Sequence, residues 1–252
     1  MELMRFALVA LVACSGGKAR TAEDARAGAK HSPDGGEVKI DPTGKGDVQI
    51  RVEWKNVPVA ARASPGATSC GSPRPPAVAP TTTWGIPDVF VELDAPGSGG
   101  GGVQRIALAG CTLAPRAIVA SKVTIASTSE QPSQLRLQQV GKLPLGSALA
   151  PAANRDVYLP IAGHEVETAF DVGTIHVLQL GDEQVTIVSS ESPFVAVTEP
   201  NGQVTFHAVP AGTHAVTAWL PARSGQPARI SRGKVIVGGG ALAEITLDIT
   251  TP

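Results

Sequence analysis

From position 47 onward the chain alternates apolar and polar residues. Asp47–Trp54, DVQIRVEW, puts Val48, Ile50, Val52 and Trp54 on one face and Asp47, Gln49, Arg51 and Glu53 on the other. A period of two over eight residues predicts a strand with one face buried. Asp88–Leu93, Val103–Leu108 and Leu135–Val140 predict further strands, and Ala117–Ala126 reads as two segments around Ser121-Lys122. Asp156–Pro160, Glu165–Phe170, Thr174–Leu180, Gln184–Ser189, Arg229–Val237 and Ala241–Ile249 complete the series. The best-specified stretch is Pro193–Trp219, PFVAVTEPNGQVTFHAVPAGTHAVTAW. It holds three strands, Phe194–Thr198, Gln203–Ala208 and His214–Trp219, separated by turns at Pro200-Asn201-Gly202 and Pro210-Ala211-Gly212. Asn and Gly tolerate the positive φ of a tight turn. Asn56–Pro80 reads as a long surface loop, Pro96–Gly102 as a loose hairpin connection, and Leu143–Asn154 as a low-complexity loop. No helical period of useful length interrupts this pattern. Short strands with turn signals between them predict an all-β fold, a Greek-key β-sandwich.

Composition narrows the functions available. A net charge of −1 gives no global field for nucleic acid, and 4% aromatics argue against a stacking platform for bases or sugars. With 28 Gly and 21 Pro the chain is rich in turns.

Met1–Cys14, MELMRFALVALVAC, has a basic residue at Arg5 and a short apolar core at Phe6–Ala13. Leu11-Val12-Ala13-Cys14 resembles the bacterial lipobox, in which the cysteine is lipidated and becomes the mature N-terminus. The resemblance implies a signal peptide over 1–14 and a lipid anchor on Cys14. A plain secretory signal cleaved near Ala13, or a misplaced start codon, is the alternative. Ser15 resembles the residue that lets a lipoprotein proceed to the outer membrane. Residues 15–46 mix charge with Gly, Ala, Pro and Ser and predict a flexible linker. The expected location is therefore the cell envelope, on the periplasmic face of the outer membrane or the cell surface.

Three cysteines occur, Cys14, Cys70 and Cys111. If Cys14 carries lipid, an exported chain is expected to join Cys70 to Cys111. Closing that loop would stabilise by about 4 kcal/mol on the chain-entropy account. Two unpaired thiols are the alternative.

Catalytic patterns are weak. Ser189-Ser190-Glu191-Ser192 lacks a G-x-S-x-G elbow. Gly97–Gly102 has no following Lys-Ser/Thr and no helix to cradle phosphate. Gly238-Gly239-Gly240 reads as a hairpin turn and Asp182-Glu183 as a solvated turn. His164, His176, His207 and His214 show no metal-ligand spacing and read as surface imidazoles. Trp54, Trp84 and Trp219 fit burial between sheets better than a sugar groove. No catalytic residue, metal ligand or cofactor is expected.

The Pro193–Trp219 stretch also resembles the C-terminal segment of bacterial exported proteins in which a cupredoxin-like (plastocyanin-type) domain runs into a carboxypeptidase regulatory-like segment. The shared elements are Pro193-Phe194, Ala196-Val197-Thr198, the Glu199–Gly202 turn, Val209–Thr213 and Trp219. Upstream, Gly110–Arg116 and Cys70-Gly71 are similar to that family's cysteine segments. The resemblance implies a cupredoxin-like portion over 47–188 and a carboxypeptidase regulatory-like, transthyretin/Ig-like sandwich over 189–252. Family members carry copper on a histidine and a C-x-x-H-x-x-M cluster. Those positions fall near Gln134 and on Val177, Leu180 and Glu183 here, so the resemblance implies a metal site that has been lost. The expected role is non-enzymatic: a structural or interaction sandwich anchored through lipid, with an unknown protein or glycan partner and no nucleic acid. The alternatives are a carbohydrate- or ligand-binding module, which needs an exposed pair of tryptophans, and a copper-handling protein using His164 and His176.

Overall fold

The structure, a computed structural model, describes residues 43–56, 67, 71, 84–147, 154–223 and 227–250. Among these residues there are sixteen strands and no helix, numbered here in chain order. The all-β sandwich expected from the alternation is what forms. All the strands belong to one compact unit, Ile40–Pro252.

β1 (Lys45–Lys55) shows why period two dictates a sheet. Its even-numbered residues Val48, Ile50, Val52 and Trp54 are buried, while the odd ones are partly exposed. In sheet I it lies between β13 (Gln203–Pro210), antiparallel to it, and β16 (Leu242–Thr250), parallel to it. Sheet II is fully antiparallel, in the order β12 (Val195–Val197), β2 (Phe90–Leu93), β14 (Gly212–Leu220), β15 (Arg229–Val237). The two sheets close over one core, in which Val48, Ile50, Val52, Trp54 and Phe206 meet Val91, Leu93, Val216, Ala218 and Val235.

A second sandwich is inserted between β2 and β12. Sheet III has the order β4 (Thr112–Ala114), β3 (Val103–Ala109), β6 (Lys122–Ser127), β9 (Glu165–Ala169), with β3 and β6 parallel. Sheet IV has the order β5 (Ala117–Val119), β11 (Glu183–Val188), β10 (Thr174–Leu180), β7 (Ser133–Lys142), β8 (Asn154–Leu159). β5 and β11 are parallel. The chain passes from sheet III to sheet IV between β4 and β5, at the cis Ala114–Pro115 bond. Ile106, Leu108, Val123 and Ile125 pack against Leu135, Leu137, Leu178, Val185 and Ile187 to make this core.

This nesting departs from a simple succession of portions at 47–188 and 189–252. β1 and β2 pair with strands after 195, so the first sandwich is assembled from both ends of the described chain. The reason lies in the pairing partners: β1 satisfies its two edges with β13 and β16, and β2 with β12 and β14. Pro96–Gly102 is accordingly not a hairpin connection. β2 and β3 lie in different sandwiches, and the segment is the outgoing linker. It runs beside the returning linker 189–194: the Gly100 amide donates to the Glu191 carbonyl at 2.8 Å, and a Cβ on Gly101 would lie 2.2 Å from the Ser190 carbonyl oxygen. Gly101 also has φ +73, so glycine is required there on two grounds.

The predicted Pro200-Asn201-Gly202 turn forms. Gly202 has φ +79, and the Asn201 side chain accepts the Gln203 amide at 2.9 Å. The turn packs so closely on Gly85 that a Cβ there would lie 1.8 Å from the Asn201 carbonyl oxygen.

Candidate functional site

Three places have chemistry to consider: the end of sheet IV at the β10–β11 turn, a bulge on β1–β13, and the contact between the sandwiches.

At the first, β10 lies between β7 and β11. Val177 pairs with Gln138 and Thr186, and Leu180 with Glu183. Arg136 is the partner of Gln179, so Gln134, two residues earlier, lies beside the β10–β11 turn with Leu180 and Glu183, whereas Val177 stands further along the sheet, opposite Gln138. Their side chains are spent on packing and local bonds. Leu180 packs against the second core, Glu183 is buried, and the Gln134 amide donates to Asp156 at 3.0 Å. β10 turns into β11 through Gly181 and Asp182 alone. A two-residue turn has no length to carry a set of ligands. The solvated turn expected at Asp182-Glu183 holds for its position but not for Glu183, which the sheet buries.

His176 sits half-buried on β10, its ring centroid 4.6 Å from that of Phe170. Thr174 Oγ1 donates its proton to the Asp171 carbonyl at 2.5 Å, which leaves the Thr174 hydroxyl oxygen to accept from His176 Nε2 at 2.9 Å. Burial holds the imidazole below its ordinary range, Arg155 adds to the effect, and Asp171 opposes it. His164 is exposed at the entry to β9 in sheet III, whereas His176 lies in sheet IV. Among the described residues no three His, Cys, Asp or Glu side chains converge as metal ligands do.

His207 and Asp47 form the second place. The β1–β13 ladder passes from Gly46↔Val209 to Val48↔Phe206, so two residues of β13 face one of β1. Ala208 takes φ 55 at this bulge. The Asp47 carboxylate accepts the Ala208 amide and His207 Nδ1, both at 3.1 Å. Those bonds, His207 first, hold the Asp47 carboxyl below its ordinary value. Beside the bulge is an open depression of about 390 Å³, lined by Gln49, Glu199, Gln203, Thr205 and His207 among others. Its walls are polar and shallow, and the Asp47–His207 pair serves the bulge. His214 is buried, with Nδ1 3.0 Å from the Asp94 carbonyl and Nε2 2.7 Å from that of Pro210. It ties the end of β2 to the β13–β14 turn. Surface imidazoles therefore describe His164 and His207, but His214 is a buried brace and His176 is half-buried.

The third place is apolar. Phe90, Val195 and Trp219 on the outer face of sheet II meet Ala117, Ile175 and Val188 of sheet IV, with Leu145 from the turn after β7. The Phe90 and Trp219 rings are 5.6 Å apart. Gln184 donates to the Ala222 carbonyl at 2.5 Å at its margin. Arg223 pairs with Asp88 at 3.1 Å, and burial together with Arg116 holds the guanidinium below its ordinary value. This contact decides the fate of Trp219, and the first core that of the other two tryptophans. Trp219 is buried here, Trp54 is buried in the first core, and Trp84 packs against that core partly buried. The exposed pair that a sugar groove needs does not form. The sequence signal for the contact was slight: Phe90 and Glu92 lie on the opposite face of β2 from Val91 and Leu93, and only a second sandwich makes that face interior.

The serines of 189–192 make local turns. Ser190 Oγ accepts the Ser192 amide and Ser192 Oγ the Phe194 amide, while Ser189 Oγ is buried without a partner. Cys111, half-buried between β3 and β4, is disulfide-bonded. Cys14 and Cys70, and with them the lipid anchor and the expected pairing, lie outside the described residues. Comparison of the chain with known protein families, curated proteins and solved structures found no match.

Proposed function

We propose that this chain is a non-enzymatic lipoprotein of the cell envelope. In this reading a cupredoxin-like sandwich without copper is nested in a carboxypeptidase regulatory-like sandwich, and the pair acts as a structural or interaction module. The observation that carries the reading is the β10–β11 connection. Residues 103–188 form two mixed sheets in which the second strand is divided between sheets as β4 and β5, an arrangement that suits a cupredoxin-like domain. Where such a domain would hold copper ligands, this chain has the two-residue turn Gly181-Asp182 and the side chains Leu180, Glu183 and Gln134. Soft sulfur and imidazole donors are what copper requires in that geometry. The lipobox-like Leu11–Cys14 supports the anchor, and an exported location supports a Cys70–Cys111 bridge.

Copper titration of the purified mature protein, followed by calorimetry and visible spectroscopy, tests the first part. The expected result is no stoichiometric uptake of Cu(I) or Cu(II) and no thiolate charge-transfer band; one equivalent bound would overturn it. Metabolic labelling with a palmitate analogue tests the anchor. Label and membrane association should both be lost in Cys14→Ser, and label that persists in that variant counts against lipidation at Cys14. In-cell photo-crosslinking from exposed positions on β15 should yield a discrete protein adduct if the module works by interaction.

A further inference from the structure

The turn Leu143–Ser147 belongs to the inserted sandwich but grips the other one. It is anchored at its start, where the Leu143 amide donates to the Gly173 carbonyl at 2.8 Å. It closes on itself, with both the amide and the hydroxyl of Ser147 donating to the Pro144 carbonyl. Leu145 at its tip is 2% exposed and lies in the apolar patch between the sandwiches. Gly146, at φ +79, lies against β15, where a Cβ would come within 2.3 Å of Ile230 Cδ1. The Leu145 amide donates to Glu92 Oε2 at 2.8 Å. The contact is thus a side chain buried in a patch, a backbone fitted to a strand, and one carboxylate accepting an amide.

Glu92 is an unusual residue for that position. It sits in the middle of sheet II, between Val195 of β12 and Thr217 of β14. Arg232 of β15 stands one strand further, opposite Thr217 on the same face, and its guanidinium reaches the turn, with Nη2 3.5 Å from where a Cβ on Gly146 would lie. Asp94, just past the end of β2, adds a like charge. The turn itself, Leu-Pro-Leu-Gly-Ser, has no charged group, and Lys142 before it is exposed. Ala117, Ile175 and Val188, which sheet IV brings to the patch, are uncharged. When the turn is seated, a carboxylate is half-buried beside apolar groups with one amide bond to hold its charge.

We propose that the Leu143–Ser147 turn is a proton-responsive clasp between the two sandwiches, gripping sheet II more firmly in acid than at neutral pH. Desolvation is the largest influence on Glu92 and Asp94 repulsion acts with it; together they outweigh the Leu145 amide and raise the carboxyl above its ordinary 4.5. The seated turn therefore holds a proton that the released turn gives up. Seating is strongest below about pH 4.5, the ordinary value for a glutamic acid. It weakens as pH rises from there through the raised value. A protonated carboxyl still has a carbonyl oxygen to accept the Leu145 amide, so the bond survives neutralisation.

Amide hydrogen exchange on the mature protein between pH 4.5 and 8 tests the clasp, with rates corrected for intrinsic exchange. The Leu145 amide reports the turn, and the Ile125 amide, inside sheet III, reports general opening. Leu145 protection relative to Ile125 should fall with rising pH, by about tenfold for each unit by which seating raises the Glu92 value. Glu92→Gln keeps an acceptor and removes the charge, so its protection should stay at the acid level across the range. Protection that is absent, flat or rising with pH in the unaltered protein would overturn the proposal, as would a Glu92→Gln curve that follows the unaltered one.

Discussion

The two sandwiches reach similar architecture with different materials. The first buries Trp54, Phe194 and Phe206 in its core, with Phe194 and Phe206 meeting edge-on at 6.1 Å. The second has only Ile, Leu, Val and Ala among its fully enclosed core residues, with Phe170 at the margin. Their connectivity differs as well. The inserted sandwich is one continuous stretch, 103–188, whereas the other must bring residues 45–93 together with 195–250. Closing a sheet across that separation costs chain entropy before any contact rewards it. Large aromatic side chains bury more surface each, and they are found where the closure is longest. The inserted sandwich gathers its strands over shorter separations.

This contrast yields a ranked set of expectations. Phe206→Ala should cost about 3–5 kcal/mol and Leu178→Ala about 2–5 kcal/mol, as buried truncations do. Denaturant melts read by residue-resolved hydrogen exchange separate them. Phe206→Ala should loosen β1, β13 and β16 together while residues 103–188 stay protected longer; Leu178→Ala should act first on β7, β10 and β11. If both variants release all sixteen strands at one midpoint, the two cores are a single cooperative unit and the contrast has no energetic meaning.

A smaller effect probes the seam. Ile175 is 3% exposed in the patch shared by the sandwiches. Ile175→Val removes one methylene there and should cost about 0.5–1.5 kcal/mol. The loss should appear in β2 and β14 as well as in β10, because both faces lose the contact. A change confined to β10 would mean that the patch transmits little.

The smallest expectation concerns Asp47. Its carboxyl is held low by His207 and the Ala208 amide, so its contribution is present above the ordinary aspartate value and is lost as pH falls through the lowered one. Asp47→Asn should therefore melt slightly below the unaltered protein near pH 6, and the gap should close in acid and narrow with added salt. Thermal melts across pH and ionic strength check this. A gap that grows in acid would remove the bulge pair from the account.

How much of this was legible beforehand depends on the range of the interaction. β1 could be read residue by residue, because the alternation of Val48 to Trp54 is a local consequence of the pleat. The Pro200-Asn201-Gly202 turn was equally legible, since positive φ is a property of the residue that adopts it. The nesting was not. Nothing in the composition of Pro96–Gly102 distinguishes a hairpin from a linker, because that difference lies in which strands pair with β2 and β3. At the candidate site, Val177 stands away from Gln134, opposite Gln138, while the pairing of Leu180 with Glu183 followed from the short hairpin between two legible strands. The burial of Glu183 and the bracing by His214 did not, as both depend on neighbours distant along the chain.

The amino-acid order alone therefore determined that the chain forms strands, where most of them begin and end, and which face of each is apolar. These are properties of single residues and their nearest neighbours. Tertiary structure decided that one sandwich sits inside another, that Trp219 is covered, and that Glu92 meets an amide in a half-buried place. Those outcomes turn on hydrogen-bond pairing and desolvation between segments some fifty or more residues apart, Glu92 and Leu145 being separated by 53. No local pattern encodes which distant surface will remove a side chain from water.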